Sequence, residues 1–318
     1  MGNLRIGVIG AGVIGSHHIG KCLNNPEAAF AGFYDSDVRK RRSVSERFSV
    51  RAYDEISSLL SASDAVIIAT PGSTHREIGI MCLAAGKHLL IEKPLAASYN
   101  EGIDLVRRAQ EASVVLHVGH SEAFNSAFGK VLSFHPRPRF IEIHRLAAFS
   151  HRGTDVSVIL DLMVHDLQLI VRLCKEEPVY DTIAATGVPV VSDGIDIASV
   201  RLSFPSGCVA NLTASRISVK RMRKIRIFAN NNYFSVDLDN SVIEHYFLSS
   251  GKLDHGGAPV DFQKESVPPR DALGSELQAF IDAVKGVSSE QAVAGPEALI
   301  VLKITDVILK MIAAGKMS

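Results

Sequence analysis

Apolar and polar positions alternate in short blocks along the first third of the chain. Residues 4–9 (LRIGVI), 29–34, 65–69 (AVIIA), 88–91 (HLLI) and 114–118 (VVLHV) are apolar runs of strand length. Such unbroken runs suit strands buried on both faces. Between them, mixed apolar–polar segments predict helices at 12–23, 37–48, 74–85 and 99–111. Asn24-Asn25-Pro26 stops the first helix and Gly86 ends the third. This strand–helix alternation predicts an α/β domain with a doubly wound parallel sheet.

After about residue 120 the pattern changes. One helix is expected at 156–173, followed or flanked by strand-like runs at 140–146, 195–204, 208–217, 224–229, 233–238 and 242–248. Turn signals such as Pro205-Ser206-Gly207 and Asn230-Asn231-Asn232 separate them, which predicts antiparallel hairpins in a mixed sheet. Residues 251–270 carry Gly256-Gly257, Pro259, Pro268 and Pro269 and are expected to form a long loop. Two helices, 272–284 and 296–314, close the chain. The predicted organisation is a nucleotide-binding domain at 1–120 and an α+β domain at 121–318, whose last helices are free to pack back on the first domain.

The 318 residues carry 34 Lys plus Arg against 34 Asp plus Glu, so the formal net charge is zero. That balance argues against wrapping nucleic acid or coating an anionic membrane by bulk charge. Neither a signal peptide nor an apolar run of membrane-spanning length is expected, and the chain reads as cytoplasmic. Cys22, Cys82, Cys174 and Cys208 form no C-x-x-C pair and read as core thiols. No metal site is expected: His17-His18 fits a helix start, and no other cluster has ligand spacing.

Gly10-Ala11-Gly12-Val13-Ile14-Gly15 is a G-x-G-x-x-G after an apolar strand and at the opening of a helix. Gly10 suits the tight turn, Gly12 the approach of a pyrophosphate to backbone N–H groups, and Gly15 close helix–strand packing. The helix N-terminus favours phosphate. Asp35, 20 residues beyond Gly15, is placed to accept from a ribose 2′-OH and to repel a 2′-phosphate, so NAD(H) is favoured over NADP(H). Arg39 and Lys40 pull the other way. Ligands bind outside the carboxyl ends of such strands. Val13, Ile14, Thr70, Pro71, His75, Glu92 and Lys93 are therefore further cofactor candidates, with Ser73 or Thr74 also readable as a helix N-cap.

Glu92-Lys93-Pro94 ends the fourth strand-like run, and the proline restricts the Lys93 backbone to extended conformations. Lys93 reads either as a lysine aimed at substrate or as a surface lysine at a strand end. Asp161 and His165, at i and i+4, would share one face of an α-helix. A carboxylate there fixes an imidazole's tautomer and raises its basicity, which suits taking a hydroxyl proton. A satisfied core histidine is the other reading of His165. Asp166 points elsewhere, as an N-cap or an ion-pair partner.

Together these residues resemble the glucose–fructose oxidoreductase, inositol dehydrogenase and rhizopine-catabolism (Gfo/Idh/MocA) family over nearly the whole chain. GAGVIG, ATPGSTH, IEKPLA and DLMVHDLQLI carry the resemblance in order and spacing. It implies an N-terminal Rossmann domain and a C-terminal α+β domain with an open, mostly antiparallel sheet. It assigns catalysis to Lys93, Asp161 and His165, and it implies a homodimer or homotetramer formed through the C-terminal sheet. VGHSEAFNSAF, at 118–128, is similar to the branch of UDP-N-acetylglucosamine 3-dehydrogenase type, whose usual G-H-x-E-R-F-N-P becomes Ala123 and Ser126 at two positions here. That likeness points to Lys93, His120, Glu122, Asn125 and His165 for substrate.

The expected function is hydride transfer between nicotinamide and a secondary hydroxyl or ketone of a sugar, with a sugar nucleotide first. A free cyclitol or monosaccharide dehydrogenase and a non-catalytic NAD-binding sensor are the alternatives. Two basic clusters bear on a pyrophosphate: Arg216, Lys220, Arg221, Arg223 and Lys224, and the smaller Arg145, His151 and Arg152. Arginine forks suit phosphate, but basic residues beside a hairpin turn, as in the larger cluster, are usually a solvated face or a subunit contact.

Overall fold

The computed structural model describes residues 2–149, 156–249 and 260–315. They divide into two units. The first holds the described residues up to Phe124 together with Asp271–Leu302, and the second holds those of Asn125–Arg270 and from Lys303 onward. No described helix is long and apolar enough to cross a membrane.

The first unit is built on β1 (Leu4–Ile9), α1 (Val13–Asn24), β2 (Ala28–Tyr34), α2 (Val38–Phe48), α3 (Ile56–Ala62), β3 (Ala65–Ile68), α4 (His75–Ala84), β4 (His88–Glu92), α5 (Tyr99–Glu111) and β5 (Leu116–Gly119). The five strands run parallel in the order β2-β1-β3-β4-β5. Strand order reverses direction at β1, so the crevice beyond the carboxyl ends of β1 and β3 is the topological switch point where ligands bind in such sheets. All four residues of β3 are fully buried, as their unbroken apolar run predicts. α3 was not foreseen: ISSLLSA is short, and Leu59 and Leu60 are its only buried anchors.

The second unit contains α6 (Ser126–Leu132), β6 (Pro138–Leu146), a π-helical turn (Ile159–Met163), α7 (Val164–Cys174), β7 (Ala184–Val188), β8 (Ile197–Ser203), β9 (Val209–Ser215), β10 (Met222–Ala229), β11 (Asn232–Asp237), β12 (Val242–Leu248) and β13 (Val260–Ser266). Its eight strands run in the order β13-β12-β11-β10-β6-β9-β8-β7, and only β6 and β9 pair in parallel. α8 (Ala272–Val284) and the first part of α9 (Gly295–Gly315) belong to the first unit.

Four expectations need correction. α6 and β7 were missed, being short. β13 lies in the segment expected to be loop, because VDFQKES is an edge strand whose every residue is exposed and offers little periodic signal. Its Lys264 and Glu265 charge that edge, a usual guard against further pairing. The helix expected at 156–173 does not run as one α-helix but opens with the π turn. Cys174 and Cys208, 34 residues apart in sequence, bring their sulfurs to 3.9 Å, and all four cysteines are free thiols.

Candidate active site

The glycines of the fingerprint divide their work as their positions predict. Gly10 has φ +93°, and a Cβ there would lie 2.5 Å from the Ala69 carbonyl oxygen. A Cβ on Gly15 would overlap the Gly10 carbonyl oxygen, so α1 can approach β1 only because this residue has no side chain. Gly12 differs: a Cβ there would meet nothing within 4 Å. It is the N-cap of α1 and supplies no side-chain cap, so the first-turn N–H groups face open space. That is the cradle a pyrophosphate needs. Val13 and Ile14 in the same turn are 67% and 45% exposed, apolar surface beside the cradle.

Asp35, at the end of β2, is buried. The Ala11 N–H donates to its Oδ2 (2.7 Å) and the Asp37 N–H to its Oδ1 (2.9 Å). Its carboxylate is thus locked to the glycine turn with acceptor capacity to spare. Asp37 caps α2, accepting from the N–H groups of Arg39 and Lys40, and those hydrogen bonds hold its carboxyl below the usual range. Two carboxylates therefore stand at the carboxyl end of β2, beside the glycine turn.

The next two loops are pinned to each other. His75 is fully buried, with Nδ1 2.8 Å from the Pro94 carbonyl and Nε2 2.8 Å from the Thr70 carbonyl. Burial pushes its pKa down, against those two acceptors. Expected to line the cofactor, His75 has both ring nitrogens engaged in bridging the loops after β3 and β4. Thr74 sits at the N-cap of α4 but does not cap it; its hydroxyl lies 2.8 Å from both the Pro71 carbonyl and the Thr70 hydroxyl. Thr70 and Pro71 thus form the rim of the loop.

Lys93 follows β4, half-buried, and the Lys93–Pro94 peptide is cis. The Glu92 carboxylate folds back: Oε2 accepts from the Lys93 N–H (3.3 Å) and Oε1 lies 2.7 Å from His18 Nε2. Gly119 leaves the room, since a Cβ there would lie 3.0 Å from that carboxylate. His120, next in the chain, is buried and Glu122 half-buried, in the turn after β5.

In the second unit, Asn125 spends its side chain on structure. Its Oδ1 accepts from Ala127 N–H (3.0 Å) and Phe128 N–H (3.2 Å), capping α6, and its Nδ2 donates to the Leu238 carbonyl (3.0 Å). Asp161 lies in the π turn and His165 in the first turn of α7. Four residues overshoot one turn of an α-helix, while i→i+5 bonding widens the turn and removes the overshoot. Single π turns inside helices occur frequently at functional sites. Asp161, Leu162 and His165 are half-buried, whereas Ile159, Met163, Val164 and Asp166–Val171 are buried. The carboxylate and the imidazole are therefore partly open, as are Leu160, Arg172 and Cys174 of the same turn and helix.

Asp166 is the ion-pair partner its position suggested. Arg145 of β6 meets it, Nη2 to Oδ1 2.7 Å and Nε to Oδ1 2.9 Å, with both side chains 2% exposed. Arg145 is therefore no surface phosphate ligand; it pins α7 to the sheet beside His165. His151 and Arg152 lie outside the described residues. The larger basic cluster also disperses: Arg216 is buried beside Asp196 (3.9 Å), Arg221 grips Asp239 with two hydrogen bonds, and Arg223 pairs with the same Asp239 (3.5 Å). Glu276 was missed altogether. It sits on α8 on the same stripe as Leu273, Leu277, Phe280 and Ile281, and a carboxylate inside an apolar stripe is the signal that marks it.

Residues 4–120 match an oxidoreductase family with an NAD-binding Rossmann fold, and residues 125–234 match the GFO/IDH/MocA C-terminal domain. The chain is 36% identical over 285 residues to the UDP-N-acetylglucosamine 3-dehydrogenase of Acidithiobacillus ferrooxidans, covering 89% of each. A solved structure of that enzyme aligns with a TM-score of 0.90 at 33% identity over 99% of each chain. The myo-inositol 2-dehydrogenase of Thermotoga maritima is 26% identical over 309 residues, 89% of this chain and 88% of that one. An Agrobacterium radiobacter oxidoreductase solved with NAD+, L-tartaric acid and magnesium shares the fold, with a TM-score of 0.85 at 17% identity over 98% of this chain and 97% of that one. With both domain matches and a full-length relative above 30% identity, this chain belongs to the Gfo/Idh/MocA oxidoreductase family.

Proposed function

We propose that this protein is an NAD(H)-dependent dehydrogenase of a secondary hydroxyl on a sugar nucleotide. The likeness to a UDP-N-acetylglucosamine dehydrogenase along 89% of both chains carries the substrate class. The open cradle at Gly12 and the Asp35 carboxylate locked beside it fit the cofactor. NAD(H), when bound, supplies or accepts the hydride.

The chain's own groups bind, orient and move the proton. The N–H groups of the first turn of α1 hold pyrophosphate, and Asp35 accepts from the adenosine ribose while disfavouring a 2′-phosphate. Lys93 donates to the reacting oxygen and stabilises the charge that develops there. His165 takes the hydroxyl proton during oxidation and returns it during reduction, in an orientation set by Asp161. His120 and Glu122 serve substrate binding. Asn125 supports that segment through its cap.

The second copy of the chain docks on the open face of the eight-stranded sheet. Phe140, Phe228, Tyr233, Tyr246 and Phe262 stand in one cross-strand row over β6, β10, β11, β12 and β13, with neighbouring ring centroids 4.6–5.5 Å apart. Phe228, Tyr246 and Phe262 are 37%, 36% and 51% exposed. Contiguous exposed aromatics mark protein–protein surfaces.

The test is NADH formation from NAD+ across a panel of UDP-sugars, inositols and free aldoses. Turnover confined to inositols or aldoses contradicts the sugar-nucleotide reading. NAD binding with no turnover on any of them contradicts the enzymatic one.

A further inference from the structure

Behind Lys93 lies a cluster that hydride transfer itself does not call for. His18 of α1, Glu92 at the end of β4 and Glu276 of α8 place one ligand-type atom each within 4.8 Å of one another. All three belong to the first unit. The His18 side chain is 0% exposed, and Glu276 is 3% exposed. Neither carboxyl oxygen of Glu276 has a hydrogen-bond partner among the described residues, and neither does His18 Nδ1. An ionised carboxylate in that position would be buried, unpaired and beside a second carboxylate, which is costly.

We infer that His18, Glu92 and Glu276 form a closed buried trio that holds the Glu92 carboxylate against the Lys93 backbone, with Glu276 as its neutral member. The inference rests on the role of Lys93 proposed above. A carboxylate only accepts, so His18 carries its proton on Nε2 and donates to Glu92 Oε1. Glu92 Oε2 meanwhile accepts from the Lys93 N–H. A neutral Glu276 lets both contacts persist; an ionised one would push Glu92 off them. Burial, and then the charge of Glu92, push the Glu276 carboxyl well above its ordinary range.

The remaining ionisable groups facing α8 are engaged or set apart. Lys21 of α1 pairs with Asp271, Glu27 pairs with Lys285 and accepts from Gln278, and Gln278 also donates to Asp282. His117 of β5 packs at a tilt against Phe280, and Glu122 sits in the turn packed on α8. A divalent cation is the competing occupant. The 2.7 Å separation of His18 Nε2 and Glu92 Oε1 is a hydrogen-bond length, and two ligands sharing one metal stand farther apart.

Infrared difference spectra of the whole protein near pH 8, wild type minus Glu276→Gln, test the proton directly. A protonated-carboxyl C=O band that disappears in the variant is expected; its absence from the wild type overturns the inference. Thermal melts from pH 5 to 9 give a second reading. The folded protein holds a proton that the unfolded chain has lost, so stability falls as pH rises from the ordinary carboxyl range toward the raised one. Glu276→Gln should therefore gain on the wild type as pH rises; a constant gap overturns the inference. Neither arm needs a substrate, so both stand if no turnover is found. With turnover in hand, Glu276→Gln should keep kcat while Glu276→Leu lowers it at unchanged NADH affinity. Equal loss in both would reduce Glu276 to packing. Stoichiometric metal in purified protein, lost in Glu276→Gln, would overturn the trio in favour of a metal site.

Discussion

In the proposed mechanism His165 and Lys93 carry the chemistry and Asp35 selects the cofactor, and each has its own expected failure. His165→Ala should lower kcat by about 10²–10⁴-fold, the usual contribution of a positioned acid–base group, and leave NADH affinity intact. Lys93→Ala should do the same, because its loss removes charge stabilisation at the reacting oxygen. Stopped-flow turnover with NADH fluorescence titration separates the two effects; wild-type kcat in both variants would refute their roles. Asp35→Ser should shift the preference toward NADPH by about tenfold or more, equivalent to about 1.4 kcal/mol, read as the ratio of the two dissociation constants. An unchanged ratio would place discrimination elsewhere, with Arg39 and Lys40 the first suspects. At this scale the sequence was readable where chemistry and backbone geometry coincide. Gly10 and Gly15 are required by a positive φ and a steric overlap, and both follow from the motif. The uses of His75 and Asn125 were hidden, because a histidine bridging two carbonyls and an asparagine capping a helix depend on loops that meet only in the folded unit.

α7 carries His165, the proposed acid–base group, in its first turn. Its register is set by the π turn at one end and by Arg145 along its buried side. Nothing in DLMVHDLQLI distinguishes a π turn from an α turn, since both place apolar residues on one face; only the Asp161/His165 pair hinted that the spacing mattered. Arg145→Ala removes the ion pair of the buried Asp166 and should destabilise the protein by about 3–5 kcal/mol. Arg145→Ala combined with Asp166→Ala should recover part of that loss, because neither member of the pair then stays buried without the other. Chemical denaturation of the two variants checks this, and a double variant no more stable than the single one would argue against coupling between the two. The strands of the first sheet, short as they are, were legible from their unbroken apolar runs. The exposed edge strand β13 was not, because a strand with no buried face writes no pattern.

At the scale of the whole molecule, the order of motifs told more than composition. Zero net charge removed nucleic acid as the obvious partner and left an anionic sugar nucleotide open. The basic stretch near residue 220, the natural candidate for its pyrophosphate, is largely spent on Asp196 and Asp239. The aromatic row across the second sheet is invisible to motif reading, because its five members lie on five strands and meet only through register. Phe228→Lys with Tyr246→Lys should convert the assembly to monomers in light scattering while the far-ultraviolet circular dichroism stays unchanged. An assembly of unaltered mass would move the interface elsewhere. The central claim is hydride transfer from a sugar-nucleotide carbon. Its most direct measurement is the mass of the NADH formed from NAD+ and UDP-N-acetylglucosamine deuterated at its ring carbons. NADH carrying one deuterium, formed by the wild type and abolished in His165→Ala, is the predicted result; unlabelled NADH, or none at all with the cofactor bound, would contradict it.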